Sequence, residues 1–392
     1  MTTLDLLSPE VRQDPYPLLA DLRSSAAVSQ VDPFGLWAVS RHEDVRTVLE
    51  SSQFGLRDRT DPLGDPEPFE ATLLVPEPAL RSPVRAMVQR AFSPALLAHH
   101  ERRVRTAAHT LVDRVLERDT LDLVGQVALP LPAAAMAELL GVGPSKRAAY
   151  MRWAMEALSP GPGVSGAERM RRLRAGLDGL TQYLNELLAQ RRAEPADDRI
   201  SALIAAEEGG VKLSDADVLT VVLHLLLAGN EGVADLIGNA LLALTTHPGV
   251  YEGVRADTSR IPALLEETLR HNSPVLGQLR QTAQEVKLAG TTIPGGSLVV
   301  ALAAAANRDG GRFPDADRFD LSRDTSGHLA LGPAGQEALW APRARLEARV
   351  ALEVLFDRLP DFGRAEGEIQ WCSALLFRGP RSVPFAWRDG EE

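Results

Sequence analysis

Apolar residues recur at three- and four-residue intervals along most of this chain, with charged or small residues between them. That period predicts helices over residues 84–92, 94–118, 131–141, 145–157, 166–192, 199–206, 215–246 and 261–272. Residues 215–246 are the most apolar of these, with Asp215 and Asp217 at the start. A further helix follows Pro342, which suits a first turn. Leu346, Val350 and Leu355 continue it at helical spacing to about Leu359. β signals are shorter. Leu36–Ser40 reads as a strand, with Ser40 as N-cap of a helix over 41–49. Residues 285–301 (EVKLAGTTIPGGSLVVA) hold two β-rich runs around Pro294-Gly295-Gly296 and predict a hairpin turning there. Residues 369–387 read as short terminal strands. Residues 55–80 lack periodicity and are rich in Pro, Asp and Glu, so they read as a loop. Residues 307–325 read as a turn-rich connector. The pattern is mainly α with small β-sheets. No repeat, low-complexity tract or linker divides it, so residues 1–392 are expected to form a single domain.

Charge narrows the partners. The formal net charge is −11, from 42 basic and 53 acidic side chains, which argues against binding to nucleic acid or to an anionic membrane. The first seventeen residues are acidic and proline-marked, unlike a signal peptide. No apolar run reaches the roughly 20 residues of a membrane span. A cytoplasmic protein is expected. One cysteine, Cys372, leaves no internal disulfide framework and no multi-cysteine metal site; its expected role is that of a small, semi-buried residue. Asp197-Asp198 and Glu207-Glu208 read as solvated charges rather than metal ligands, and no metal is expected.

The stretch His328–Arg349 (HLALGPAGQEALWAPRARLEAR) concentrates the candidate chemistry. It opens apolar, passes through a loop marked by Gly332, Pro333 and Gly335, and enters the Pro342 helix. Around it stand further segments in a fixed order: DPYPLLADLR, LLLAGNEGVADLIGNALLAL, EETLRHNSP, GTTIPGGSLVVALAAAANRDGGRFPDADRFDLSRD and WCSALLFRGPRSVP. Together they resemble a bacterial cytochrome P-450 over nearly the whole chain. The resemblance implies a cytochrome P-450-like fold. It also implies a buried ion pair between Glu267 and Arg270, the family's Glu-x-x-Arg, bracing the core against the loop region.

The same resemblance shows where the chain departs. The family's haem loop reads Phe-Gly-x-Gly-x-His-x-Cys-x-Gly, with the Cys thiolate on the iron. Residues 331–340 match it in degenerate form. Leu331 stands for the Phe, Gln336 for the His, Ala338 for the Cys and Trp340 for the last Gly. Where the family holds haem propionates, Arg81 takes a His position and Pro83 an Arg position, while Arg280 matches a surviving partner. In the central helix the family's Ala-Gly-x-Glu/Asp-Thr is Ala228, Gly229, Asn230, Glu231, Gly232 here, so the acid stays and the hydroxyl is gone. The chain is therefore expected to carry no cofactor, its haem lost, and not to be a haem-thiolate monooxygenase.

Two roles follow from that reading. One is an auxiliary partner of a glycosyltransferase that attaches a deoxysugar to a polyketide-type aglycone in natural-product (antibiotic) biosynthesis; some haem-cysteine-lacking relatives of actinobacterial pathways act in this way. The other is an isomerase, dehydratase or cyclase using the old distal pocket for a lipophilic small molecule. Glu231 would then be the acid or base, Asn230 would orient a carbonyl, and His224 would lie two turns away on the same face. The bland alternative makes Glu231 and His224 ordinary helix residues, and a chain without function is a third reading. Arg343, Arg345 and Arg349 follow the loop at helical spacing and read as a solvated basic face.

Overall fold

The computed structural model describes residues 2–3, 8–32, 35–55, 82–117, 121–158, 166–333, 340–372 and 376–388. The helical period is realised closely. Helices occupy Ser82–Ala91, Pro94–Leu116, Pro130–Leu139, Pro144–Leu158, Gly166–Ala193, Arg199–Ala205, Asp215–Thr246, Ile261–His271 and Ala341–Arg358. The 32-residue helix Asp215–Thr246 is called the central helix below, and Ala341–Arg358 the C-terminal helix.

Local chemistry explains where these helices begin. The Asp217 backbone N–H donates to Ser214 Oγ, and the Ser214 N–H donates to Asp217 Oδ2. This reciprocal cap opens the central helix, and the acidic first turn favours the positive end of its dipole. One window of this helix has mean hydropathy 1.4, long and apolar enough in composition to cross a bilayer. Yet 82% of that window is buried inside the protein, as in a core helix. Pro342 sits in the first turn of the C-terminal helix as its missing N–H predicts.

Two local expectations are corrected. Ser40 does not cap the following helix. That helix runs His42–Glu50 behind Arg41, while Ser40 Oγ donates to the Ala26 carbonyl. The hairpin turns early: Val286–Leu288 pairs antiparallel with Thr291–Ile293 about Ala289 and Gly290. Both turn residues have positive φ, 47° and 83°, which matches the twist of a two-residue hairpin. The strand after the Pro-Gly-Gly turn, Leu298–Ala301, joins a different sheet. Short helices at Pro9–Gln13, Val250–Ala256 and Ala303–Ala306 span too few turns for their period to register.

Contacts divide the chain into two compact units. The first comprises Met1–Gly64, Gly238–Ala338 and Trp371–Arg381. Its six-stranded sheet runs in the order Thr2–Thr3, Val28–Asp32, Leu36–Val39, Leu298–Ala301, Gln278–Thr282, Phe54–Gly55. Val299 pairs with Trp37 in parallel and with Arg280 antiparallel. Val39, Val45, Val48, Ile293, Val299 and Leu329 form part of one apolar cluster in this unit. The second unit comprises Asp65–Ile237, Leu339–Gln370 and Ser382–Glu392. Its helices pack Pro94–Leu116 on the C-terminal helix and Pro144–Leu158 on Gly166–Ala193.

Candidate functional site

In the second unit the centre of interest is the contact between the central helix and the start of the C-terminal helix. Gly229 and Gly232 each cost a helix about 1 kcal/mol relative to Ala. Here their bare backbone receives Trp340. A Cβ at Gly232 would meet the indole carbons at 2.5, 2.7 and 2.9 Å, and one at Gly229 would stand 3.1 Å from Trp340 Cβ and 3.2 Å from Arg343 Nη2. Trp340 is 4% exposed. Two departures seen separately in the sequence, a hydroxyl lost at 232 and an indole gained at 340, are therefore one packing arrangement.

One turn further on, Arg343 Nη2 donates to Asn230 Oδ1 at 2.6 Å. Arg343 Nε lies 3.3 Å from Glu347 Oε1, and both side chains are buried. Burial pushes the Glu347 carboxyl up to about 7, against the pull of Arg343. His100, on Pro94–Leu116, is pushed down to about 3, mainly by burial and next by Arg343. Burial also raises the Tyr150 phenol. Among the described residues, several atoms here lack a hydrogen-bond partner: Asn230 Nδ2, Arg343 Nη1, Tyr150 OH and His100 Nε2, while Arg343 Nε and Glu347 meet only as an ion pair. An unmet buried polar group costs about 1–3 kcal/mol.

In the first unit Glu267 and Arg270 form the ion pair read from the sequence. Arg270 Nε donates to Glu267 Oε2 at 2.7 Å and Nη2 to Oε1 at 2.8 Å, with neither residue exposed. Arg270 also donates to the carbonyls of Asn307, Ala316 and Arg318, and the Asp320 N–H donates to Glu267 Oε1. The pair thus ties the turn-rich connector to the Ile261–His271 helix, beside the connector's own backbone turns. Asn307 Oδ1 accepts from the Leu329 N–H and fixes the opening of the 328–333 stretch.

Asn230 is completely buried; its carbonyl oxygen accepts from Arg343, and its Nδ2 has no partner among the described residues. His224 and Glu231 are half-buried on the same helix, but seven residues separate them by about 10 Å along its axis. Arg280 donates to the Leu279 carbonyl and to Gln278 Oε1 within its sheet. Gln336, Ala338 and Arg81 lie outside the described residues, as does the side chain of Pro83. The basic face after the loop is corrected. Arg343 is interior, and Arg349 joins Glu101, Glu353 and Arg105 in a partly exposed network between two helices. Asp198 is also interior: it caps Arg199–Ala205 through the Ser201 N–H and pairs with Arg191. Sequence reading missed Tyr150, His100 and Glu347, since a lone polar residue in a helical pattern gives no sign of facing inward.

Comparison with known proteins identifies this framework. The cytochrome P450 family profile matches residues 166–326. Cytochrome P450 107B1 of Saccharopolyspora erythraea is 34% identical over 390 residues, covering 95% of each chain. The mycinamicin IV hydroxylase/epoxidase of Micromonospora griseorubida is 35% identical over 378 residues, covering 94% of each. Among solved structures, cytochrome P450 CYP109Q5 from Chondromyces apiculatus superposes with a TM-score of 0.88 at 39% identity, covering 98% of both chains.

These relatives overturn the expectation that the chain carries no cofactor, because the family points to haem and a thiol, Cys372, is present. The residues around the family's haem position were tested against that group. Cys372 is buried in the terminal segment, where its Sγ donates to the Phe377 carbonyl at 3.0 Å. At the last loop position the Trp340 indole fills the concavity over Gly229 and Gly232. As placed, these side chains do not form the family's thiolate loop. Fold, segment order and full-length relatives nevertheless agree, and the chain belongs to the cytochrome P450 family.

Proposed function

We propose that this chain serves natural-product biosynthesis as the auxiliary partner of a glycosyltransferase that transfers a deoxysugar to a polyketide-type aglycone. The observation that carries the reading is the seating of Trp340 against Gly229 and Gly232. It commits to internal packing two positions that the family pattern gives to the oxygen-activating helix and the haem loop. A body packed this way suits a binding partner with a stable helical frame. A relative named for hydroxylating and epoxidising mycinamicin IV supports the pathway class. The complete burial of Asn230 and the roughly 10 Å along the helix axis between His224 and Glu231 weigh against the alternative of an isomerase, dehydratase or cyclase built on Glu231, Asn230 and His224.

The test is sugar transfer by a glycosyltransferase encoded beside this chain, measured with and without it. Co-elution and a rise in transfer rate support the reading. An unchanged rate with folded protein overturns it. Hydroxylated aglycone formed by this chain with an electron-donor system, and no transferase present, would replace it with a hydroxylase.

A further inference from the structure

Residues 326–329 of the first unit lead from the turn-rich connector into the stretch that opens at His328. Side chains from separate elements hold this lead-in. Arg312 donates to the Ser326 carbonyl, and His42 Nε2 meets the Gly327 carbonyl at 2.8 Å. His328 Nε2 meets Glu266 Oε2 at 3.1 Å, and Asn307 Oδ1 accepts from the Leu329 N–H at 2.7 Å. His42 opens the helix His42–Glu50, and its backbone N–H donates to Asp309 Oδ2 at 2.9 Å. One residue thus joins that helix to the connector through both its backbone and its ring.

The two histidines differ in what surrounds their rings. His328 is served as a neutral ring: Nε2 carries the proton toward Glu266, and Nδ1 accepts from the Ala330 N–H at 3.4 Å. His42 is not. A carbonyl only accepts, so Nε2 carries the proton toward Gly327. Nδ1 of the neutral ring is then a bare lone pair. It is buried without a hydrogen-bond partner among the described residues, and it stands 3.7 Å from another acceptor, Glu43 Oε1. Acceptors beside both nitrogens suit the imidazolium, which donates from both. The charges gathered around this helix start are Glu43, Asp44 and Asp309, against Arg41 and Arg46, with Arg46 paired to Glu43. Arg312 lies 4.8 Å from the centre of the Phe313 ring, which His42 meets edge-on.

We propose that His42 is a pH-sensitive latch on the entry to the His328 stretch. As the imidazolium it bridges the Gly327 carbonyl and the Glu43 carboxylate. When Nδ1 gives its proton to solvent beside Glu43, two acceptors are left opposed and residues 326–329 loosen. Histidine is the side chain whose charge changes near neutral pH, so the latch works in that range. The Glu43 side chain is 70% exposed, which keeps the pair weak. The change in local opening is therefore about two- to fivefold.

The test is amide hydrogen exchange of a peptide covering residues 324–333 in the full-length chain, at pH 6 and pH 8, with labelling times scaled for intrinsic exchange. Protection in the native protein should be about two- to fivefold higher at pH 6. Glu43→Gln should abolish the difference, because its amide gives the neutral Nδ1 a donor at pH 8. His42→Gln should abolish it too, and Glu266→Gln should keep it. If His42→Gln does not fold, Glu43→Gln at its exposed position decides. Equal protection of the native protein at both pH values overturns the proposal. A difference that survives in Glu43→Gln overturns it as well, and one lost only in Glu266→Gln moves the effect to His328.

Discussion

Trp340 lies so close to Gly232 that a Cβ on residue 232 would stand 2.5 Å from the indole Cη2. Each residue therefore sets the size allowed to the other. Gly232→Ala should destabilise by about 1–3 kcal/mol through overpacking, and Trp340→Ala by about 3–5 kcal/mol through loss of a buried aromatic. Combined, the two should cost less than their sum, since the cavity left by the ring accepts the methyl group. Chemical denaturation of the four proteins measures this coupling. Strict additivity would mean that the two sites do not touch.

Arg270 makes two bonds to Glu267 and three to carbonyls of residues 307–318. Arg270→Ala should cost about 3–5 kcal/mol, because Glu267 is left as an uncompensated buried charge. Arg270→Lys keeps the charge but cannot reproduce the planar fork, so it should recover only part of the loss. Hydrogen exchange should show the damage first in residues 307–320. A uniform loss of protection across the protein would argue against a local bracing role.

The Glu347 carboxyl is raised from 4.5 to about 7 by burial, so the folded protein holds a proton that the unfolded chain has released. Stability from this group is full below about pH 4.5 and declines as pH rises through about 7. The total is on the order of 3 kcal/mol. His100, pushed down to about 3, acts in the opposite sense, its contribution lost as pH falls from 6.5 toward 3. Subtracting the pH–stability curve of Glu347→Gln isolates the first effect. A flat difference curve between pH 4.5 and 7 would remove Glu347 as its source.

Ala289 turns the short hairpin with φ at 47°, where a Cβ is strained and glycine or asparagine is not. Ala289→Gly or Ala289→Asn should raise stability by about 0.5–1 kcal/mol. The same substitutions at Thr291, inside the paired strand, should not. Melting temperatures of these variants check the placement of the turn, which the Pro-Gly-Gly sequence had drawn six residues too far along.

Elements and ancestry were legible because both depend on near neighbours in sequence. Helical periodicity needs only a stretch of side chains, and the ordered segments from DPYPLLADLR to WCSALLFRGPRSVP carry the family resemblance without any contact. Glu267 and Arg270 were readable for the same reason, being one turn apart on one helix. The expectation of an absent cofactor went further than sequence allows: it rested on substituted positions in the loop (Ala338 above all), the propionate segment and the central helix, whereas the family as a whole points to haem.

Only the tertiary structure paired residue 232 with residue 340, and only it turned Arg343 inward to Asn230 rather than outward to solvent. These residues are more than a hundred positions apart, and a helical period fixes which residues share a face, not which partner that face meets. Sequence thus determined the frame of this protein. The packing of the central and C-terminal helices decided which charged groups are buried, and with that the protonation of Glu347 and His100 and the pairing of Arg343.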